Sequence, residues 1–185
     1  LNKEMKVSQL SGYIAEHSAY HHGEVSLQGT IINMAQNYMG SNNCNYLEPI
    51  GQFGTRLQGG KDSASARYIS TRLSVVTRKL FPECDDQVLE YLTEDGLKIE
   101  PKYYVPIIPT ILLNGTDGIG TGWSTRVLNY KLLDIINNTK RIVNGESIVP
   151  MMPHYNGFKG TVEPQEDGVT YITKGTYEVG VQGRY

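Results

Sequence analysis

A segment rich in glycine and small side chains ends on a tyrosine. From Gly51 to Tyr68 the sequence reads GQFGTRLQGGKDSASARY, with four glycines and three cations, Arg56, Lys61 and Arg67. Glycines let a backbone approach a ligand closely, and guanidinium and ammonium groups bind phosphate. These residue types predict a phosphate-binding loop that delivers Tyr68 as a nucleophile.

The chemistry of Tyr68 has two interpretations. A phenol in water ionises near pH 10, so about one part in a thousand is phenolate at neutral pH, a deficit of ~4 kcal/mol for an attacking oxyanion. A neighbouring cation such as Arg67 can offset this deficit by stabilising the phenolate and the charge on a phosphoryl oxygen. Alternatively, Tyr68 is one of thirteen tyrosines, half-buried at the start of a strand, with Arg67 merely solvated.

Positive charge is concentrated around the same loop. Between positions 50 and 80 there is one acid, Asp62, and six basic residues: Arg56, Lys61, Arg67, Arg72, Arg78 and Lys79. The whole chain carries a net charge of -2, divided into +3 over residues 1–81 and -5 over residues 82–185. This asymmetry predicts a polyanionic partner that contacts mainly the first half of the chain.

Hydrophobic spacing places two helices before the loop. Val7, Leu10 and Ile14 fall at helical intervals, His21-His22-Gly23 interrupts the pattern, and a second helix should run from Glu24 to about Met39. Two helices joined by a short turn form a helix-turn-helix, whose second helix normally enters the major groove of DNA. Any pair of amphipathic helices would give this pattern. After a loop over residues 40–66, we expect a strand over 68–71 and a helix over 73–80.

The second half reads as shorter elements separated by turns. Pro82 and the acids that follow it predict a boundary, which divides the chain into domains 1–81 and 82–185. Beyond it we expect a strand or short helix at 89–92, a turn at 93–96 and extended chain at 97–105. A buried edge strand should follow at 106–113, then a helix at 132–143 and strands within 158–185 that include Tyr177–Val179. Helices and strands without a repeating βαβ period favour an α+β fold.

Four motifs in fixed order resemble eukaryotic type IIA DNA topoisomerases. They are AYHHGE at 19–24, GQFGTR at 51–56, GGKDSASARY at 59–68 and NGTDGIGTGWST at 114–125. The resemblance covers about residues 5 to 165. It implies a winged-helix (helix-turn-helix) DNA-cleavage domain over 1–81, followed by the first part of a mixed α/β tower-type domain over 82–185. It also implies that the chain is an excised part of a much larger enzyme.

The same resemblance assigns roles to individual residues. It implies that Tyr68, supported by Arg67, attacks a DNA phosphodiester and leaves a transient 5′-phosphotyrosyl link during double-strand passage. His22 and His21 would stabilise the transition state, and His22 lies nearer the helix N-terminus and its favourable field for anions. Further DNA contacts are expected from Arg56, Lys61, Arg72, Gln52 and Ser65.

Ile119 lies in a run of alternating glycines from Gly118 to Gly122. The spacing Gly-x-Gly-x-Gly does not match a dinucleotide-binding fingerprint, and a tight turn would also use such glycines. The resemblance implies instead that Ile119 is an apolar wedge that is inserted between base pairs and bends the DNA.

Cofactors and partners follow from the resemblance as well. Mg²⁺ and ATP are expected for the parent enzyme, bound by residues outside this chain, and Asp85-Asp86 should be solvated surface rather than a metal site. We expect double-stranded DNA and a second copy of the parent enzyme as partners, a nuclear location and no membrane contact. Cys44 and Cys84 should be free thiols. Two alternatives remain: a non-catalytic winged-helix DNA-binding module, and a fragment whose loop contacts protein.

Overall fold

Two helices pack at the start of the chain in the computed structural model, which describes residues 3–180. Helix α1 spans Val7–His17 and helix α2 spans Glu24–Ala35, so both predicted helices are present. Helix α2 ends four residues earlier than predicted because Gln36 leaves helical geometry, with φ of -59° and ψ of 133°.

A short antiparallel pair of strands closes the first core. Strand β1 (Met5–Lys6) pairs with strand β2 (Ser70–Thr71). The prediction that a strand begins at Tyr68 is wrong, since the Tyr68 amide donates to the Ser65 carbonyl, 2.8 Å away, in a turn. The buried residues of this core are Val7, Leu10, Leu27, Ile31, Ala35, Leu47, Phe53, Ala66 and Ile69.

The middle of the chain is built from short elements. Helix α3 covers only Thr77–Leu80, shorter than the predicted 73–80, and a 3-10 turn follows at Glu83–Gln87. Strands β3 (Tyr91–Glu94) and β4 (Leu97–Pro101) form an antiparallel hairpin. Its turn lies where the sequence predicts it, and both turn residues, Asp95 and Gly96, have positive φ.

The predicted edge strand at 106–113 is wrong. Pro109 is the N-cap, with φ of -70° and ψ of 87°, and helix α4 begins after it and spans Thr110–Asn114. Proline fits here because the first helical turn leaves its N–H groups without intrahelical partners. Helix α4 buries Leu113 in a second core with Leu80, Ile108 and Ile135.

The rest of the described chain contains two hairpins around one helix. Strands β5 (Thr116–Gly120) and β6 (Trp123–Val127) pair, helix α5 (Leu132–Val143) has the predicted bounds, and strands β7 (Thr161–Pro164) and β8 (Tyr171–Lys174) pair. Between Lys174 and Gly180 there is no strand, so the prediction for Tyr177–Val179 is wrong; the last part of that prediction, residues 181–185, lies outside the described residues. Helices mixed with hairpins confirm the α+β class.

Candidate nucleic-acid interface

The glycine loop is held closed by its own backbone and by Asp62. The Asp62 carboxylate accepts hydrogen bonds from the Thr55 amide (2.8 Å) and the Thr55 hydroxyl (2.7 Å). Both bonds favour the ionised carboxylate and lower the pKa of Asp62. Gly54 and Gly60 have positive φ, and a Cβ added at Gly54 would lie 2.6 Å from the Gly60 Cα. Only glycine fits this crossing of the loop ends.

Tyr68 projects from the end of this loop into solvent. Its side chain is 66% exposed, which contradicts the half-buried alternative. The Arg67 guanidinium lies over the Tyr68 ring, 5.1 Å from its centre. Lys6 donates from Nζ to the Tyr68 carbonyl, 3.2 Å away. Arg67 therefore lies beside the accessible phenol ring, and Lys6 contacts the backbone of the same residue, a contact that the sequence pattern did not reveal because it spans 62 residues.

Contacts with the segment around Ala66 fix the position of the tyrosine. The amide of Val7 donates to the Ile69 carbonyl (3.0 Å), and the amide of Ser8 donates to the Ala66 carbonyl (3.1 Å). Ala66 and Ile69 are both buried, so they anchor the chain on either side of the exposed Arg67 and Tyr68.

The histidine pair lies immediately before helix α2. His21 Nε2 lies 2.6 Å from the Glu94 carboxylate at the end of β3, and the His22 ring packs edge-on against Tyr20. Both histidines are exposed. Within residues 3–180 no hydrogen bond joins either histidine to Tyr68. The structure thus gives His21 an acidic partner that the sequence did not predict, because the contact spans 73 residues.

The predicted DNA-binding residues are all exposed, but they differ in whether a nearby carboxylate already neutralises their charge. Arg72 Nε lies 2.6 Å from Glu48, whereas Lys61 makes no ion pair among the described residues. Gln52 and Ser65 use their carbonyls to close the loop, accepting from the amides of Ala64 (2.9 Å) and Tyr68 (2.8 Å).

A cleft of about 610 Å³ extends the basic surface toward the second half of the chain. Arg56 lines it from the 3-10 turn Arg56–Gln58, and Arg126 lines it from β6. Arg126 is 3.9 Å from Asp117, a loose pair between two exposed side chains, so its charge is available to a ligand. Sequence reasoning missed Arg126 because it is isolated from the basic run around the loop.

Ile119 lies within a strand rather than in a tight turn. It is in β5 opposite Ser124, and the turn of the hairpin is at Thr121-Gly122. Its side chain is 93% exposed. A rigid apolar side chain held on a hairpin and open to solvent is compatible with insertion between bases.

The described residues do not fit a metal site. Among residues 3–180 no three His, Cys, Asp or Glu side chains cluster to hold an ion. The sequence predicts that Asp86 is solvated surface. In the structure its carboxylate instead pairs with Arg78 at 2.7 Å, and its backbone carbonyl accepts a hydrogen bond from the Tyr91 hydroxyl. Cys44 and Cys84 are free thiols, and burial raises the pKa of Cys44. No helix in the described part of the chain could cross a membrane.

Comparison with known proteins identifies the family. The family of the DNA gyrase/topoisomerase IV A subunits matches residues 1–185. The chain belongs to that family. Within it, DNA topoisomerase 2 of Arabidopsis thaliana is 63% identical over 95% of the chain, and human DNA topoisomerase 2-alpha is 58% identical over 87%. The resemblance to eukaryotic type IIA topoisomerases is therefore confirmed.

A solved structure of this topoisomerase family has the same fold. The DNA-binding, cleavage and re-ligation domain of Plasmodium falciparum topoisomerase II matches 94% of the chain with a TM-score of 0.90 and 60% identity. The chain corresponds to 24% of that structure, and it spans 12% of the Arabidopsis enzyme and 10% of the human enzyme. The chain therefore spans only a small part of the length of these relatives.

Proposed function

We propose that this chain is the tyrosine-bearing part of an ATP-dependent type II DNA topoisomerase, in which Tyr68 breaks and rejoins DNA. The observation that carries the proposal is an exposed phenol at the end of a rigid loop, with the Arg67 guanidinium 5.1 Å from its ring. The family match supports a DNA substrate.

The reaction is a reversible transfer of a phosphoryl ester. The Tyr68 oxygen loses its proton and forms a bond to phosphorus, while the bond between phosphorus and the 3′-oxygen breaks. The 3′-oxygen leaves as a hydroxyl, and the 5′-phosphate stays on the tyrosine. Attack by the same 3′-hydroxyl reverses the step and reseals the strand. Arg67, with His22 and His21, stabilises the charge on the phosphoryl oxygens.

The basic surface binds the DNA on either side of the reacting phosphate. Arg56, Lys61 and Arg72 neutralise backbone phosphates, Gln52 and Ser65 add polar contacts, and Ile119 opens a base step. Arg72 contributes less than Lys61, because Glu48 already neutralises it. In this proposal residues 1–81 form a winged-helix domain and residues 82–185 begin a tower-type domain.

The complete enzyme supplies what the described residues lack. We propose that it acts as a homodimer in the nucleus and that it uses Mg²⁺ and ATP bound by residues elsewhere in the longer protein. The eukaryotic origin of the similar enzymes supports the location.

The decisive experiment replaces Tyr68 with Phe in the full-length protein. Tyr68→Phe removes the only oxygen that forms the covalent link, so we expect no protein–DNA adduct after denaturation, with DNA affinity nearly unchanged. Tyr103→Phe is the matched control, since Tyr103 is also 66% exposed, and it should form the adduct normally.

The same experiment separates enzyme from binding module. An adduct at wild-type level in Tyr68→Phe would reject the nucleophile. The absence of an adduct in the wild-type protein under any condition would favour a non-catalytic DNA-binding module, for which the basic surface and the helix pair suffice.

A further inference from the structure

Gln36 is a buried polar side chain at the junction between α2 and the glycine loop. It is 7% exposed, and its backbone amide ends α2 by donating to the Ile32 carbonyl, 3.0 Å away. Its side-chain nitrogen donates to the Phe53 carbonyl (2.8 Å) and the Gly60 carbonyl (3.2 Å). One amide thus joins two points of the glycine loop, Phe53 and Gly60, to the end of the helix.

The loop is shaped to admit this amide. Gly60 has positive φ, and a Cβ at this position would overlap the Gln36 side chain and lie 2.8 Å from the Tyr38 hydroxyl. Phe53, 3% exposed, anchors the start of the loop in the first core. Both of the amide's protons are needed, because each one satisfies a carbonyl that the closed loop withdraws from water.

We propose that Gln36 is a positioning residue for the proposed tyrosine reaction: it fixes the glycine loop, and through it Tyr68, relative to helix α2. Helix α2 begins next to the histidine pair and ends at Gln36, so a single rigid element connects the two groups that act on the phosphate. The chain continues from Gly60 through Asp62 to the buried Ala66, and the exposed Arg67 and Tyr68 follow directly. The proposal rests on the proposed function.

The test uses Gln36→Glu and Gln36→Leu in the full-length protein with saturating duplex DNA. A carboxylate presents only acceptors to the two carbonyls, so Gln36→Glu should slow adduct formation at pH 8 by about tenfold or more, as expected when reacting groups are displaced by a fraction of an ångström. DNA affinity should stay within about twofold, because the phosphate-binding cations are untouched.

Lowering the pH should partly rescue Gln36→Glu but not Gln36→Leu. At pH 6 the introduced carboxyl, desolvated by the loop, gains a proton and regains one donor. The Tyr38 hydroxyl borders the same face of Gly60, and Asp62 lies two residues after Gly60, where hydrogen bonds from Thr55 hold its pKa below its usual value. Rates are expressed relative to wild type at each pH, which cancels titrations common to both proteins.

Asn37→Asp is the matched control. It adds the same charge one residue later, at an exposed side chain that makes no hydrogen bond among residues 3–180, and its rate should follow wild type at both pH values. Wild-type rates for Gln36→Glu at pH 8 would overturn the proposal. So would an equal loss of rate and affinity, or unfolding of both Gln36 variants at the assay temperature, since each would mean a general structural role.

These outcomes are independent of the nucleophile. If Tyr68→Phe still forms the adduct, the proposed function fails. If Tyr68→Phe is inactive and the Gln36 variants cleave normally, only the positioning role fails.

Discussion

Individual side chains in the loop are held by hydrogen bonds that depend on their ionisation. The clearest case is Asp62, whose carboxylate accepts from both the amide and the hydroxyl of Thr55. Since these bonds favour the charged form, the pKa of Asp62 is lower in the folded chain than in the unfolded chain. The bonds therefore stabilise the fold above the unfolded pKa, near pH 4, and this stabilisation disappears as the pH falls through the lower folded pKa.

Comparing wild type with Asp62→Asn tests this clamp. In thermal melts of the 185-residue chain we expect wild type to have the higher midpoint from pH 5 to pH 8, and the gap to narrow below about pH 4 as the wild-type carboxylate is protonated. Thr55→Val removes the hydroxyl donor and keeps the amide. The difference between its melting temperature and that of wild type should also become smaller in acid, but by a smaller amount. A difference in melting temperature between wild type and Asp62→Asn that stays constant from pH 2 to pH 7 would contradict a role for the ionised Asp62 carboxylate.

At the scale of elements, hairpin β5–β6 presents two exposed apolar side chains, Ile119 and Trp123, on a paired backbone. Ile119 is held by its register with Ser124 and contributes nothing to either core. The energy of its insertion into a base step must come from DNA contacts, because unstacking a step costs a few kcal/mol.

Ile119→Ala should therefore change the DNA and leave the fold unchanged. We expect a smaller bend angle and an altered preference among cleavage sites, since flexible pyrimidine–purine steps lose their advantage. Energy transfer between dyes at the ends of a short duplex, bound to the full-length protein, measures the bend. Val88→Ala, at an 81% exposed residue just after the 3-10 turn Glu83–Gln87, is the control. The wedge is rejected if the bend is unchanged, and a large drop in melting temperature would show that Ile119 is buried in solution.

At the scale of the whole molecule, asparagine side chains connect the two halves of the chain. Asn43 donates to the carbonyls of Tyr130 (3.1 Å) and His154 (2.8 Å) and accepts from the Asn156 amide (2.9 Å). Asn114 exchanges two hydrogen bonds with the backbone of Cys44. The loop after α2 is therefore bound to segments 70 to 113 residues away, which fixes the tyrosine-bearing half relative to hairpin β5–β6.

Asn43→Ala should lower the stability of the 185-residue chain. It leaves two carbonyls and one amide without their partner, and a part-buried group of this kind costs about 1–3 kcal/mol. Urea unfolding measures the change. Asn137→Ala, at an exposed position of α5, should be neutral or slightly stabilising because alanine favours helices. Equal midpoints for Asn43→Ala and wild type would show that the connection contributes little.

The local sequence determined the elements in which neighbouring residues all favour the same secondary structure. Helices α1 and α5 and the turn at Asp95-Gly96 follow from apolar spacing and from glycine, and the four motifs identify the family, because such signals lie within a few neighbouring residues. The apolar run at 106–113 misled the prediction, since a buried strand and a short buried helix share the same composition.

Tertiary structure alone decided which distant residues meet. The contacts of Lys6 with Tyr68, of Glu94 with His21, of Glu48 with Arg72 and of Gln36 with the glycine loop join residues 17 to 73 positions apart. No short-range pattern encodes such pairs, because they depend on how the cores bring the elements together. The residues that carry the proposed chemistry can thus be read from the sequence, whereas those that hold them in place are visible only in the fold.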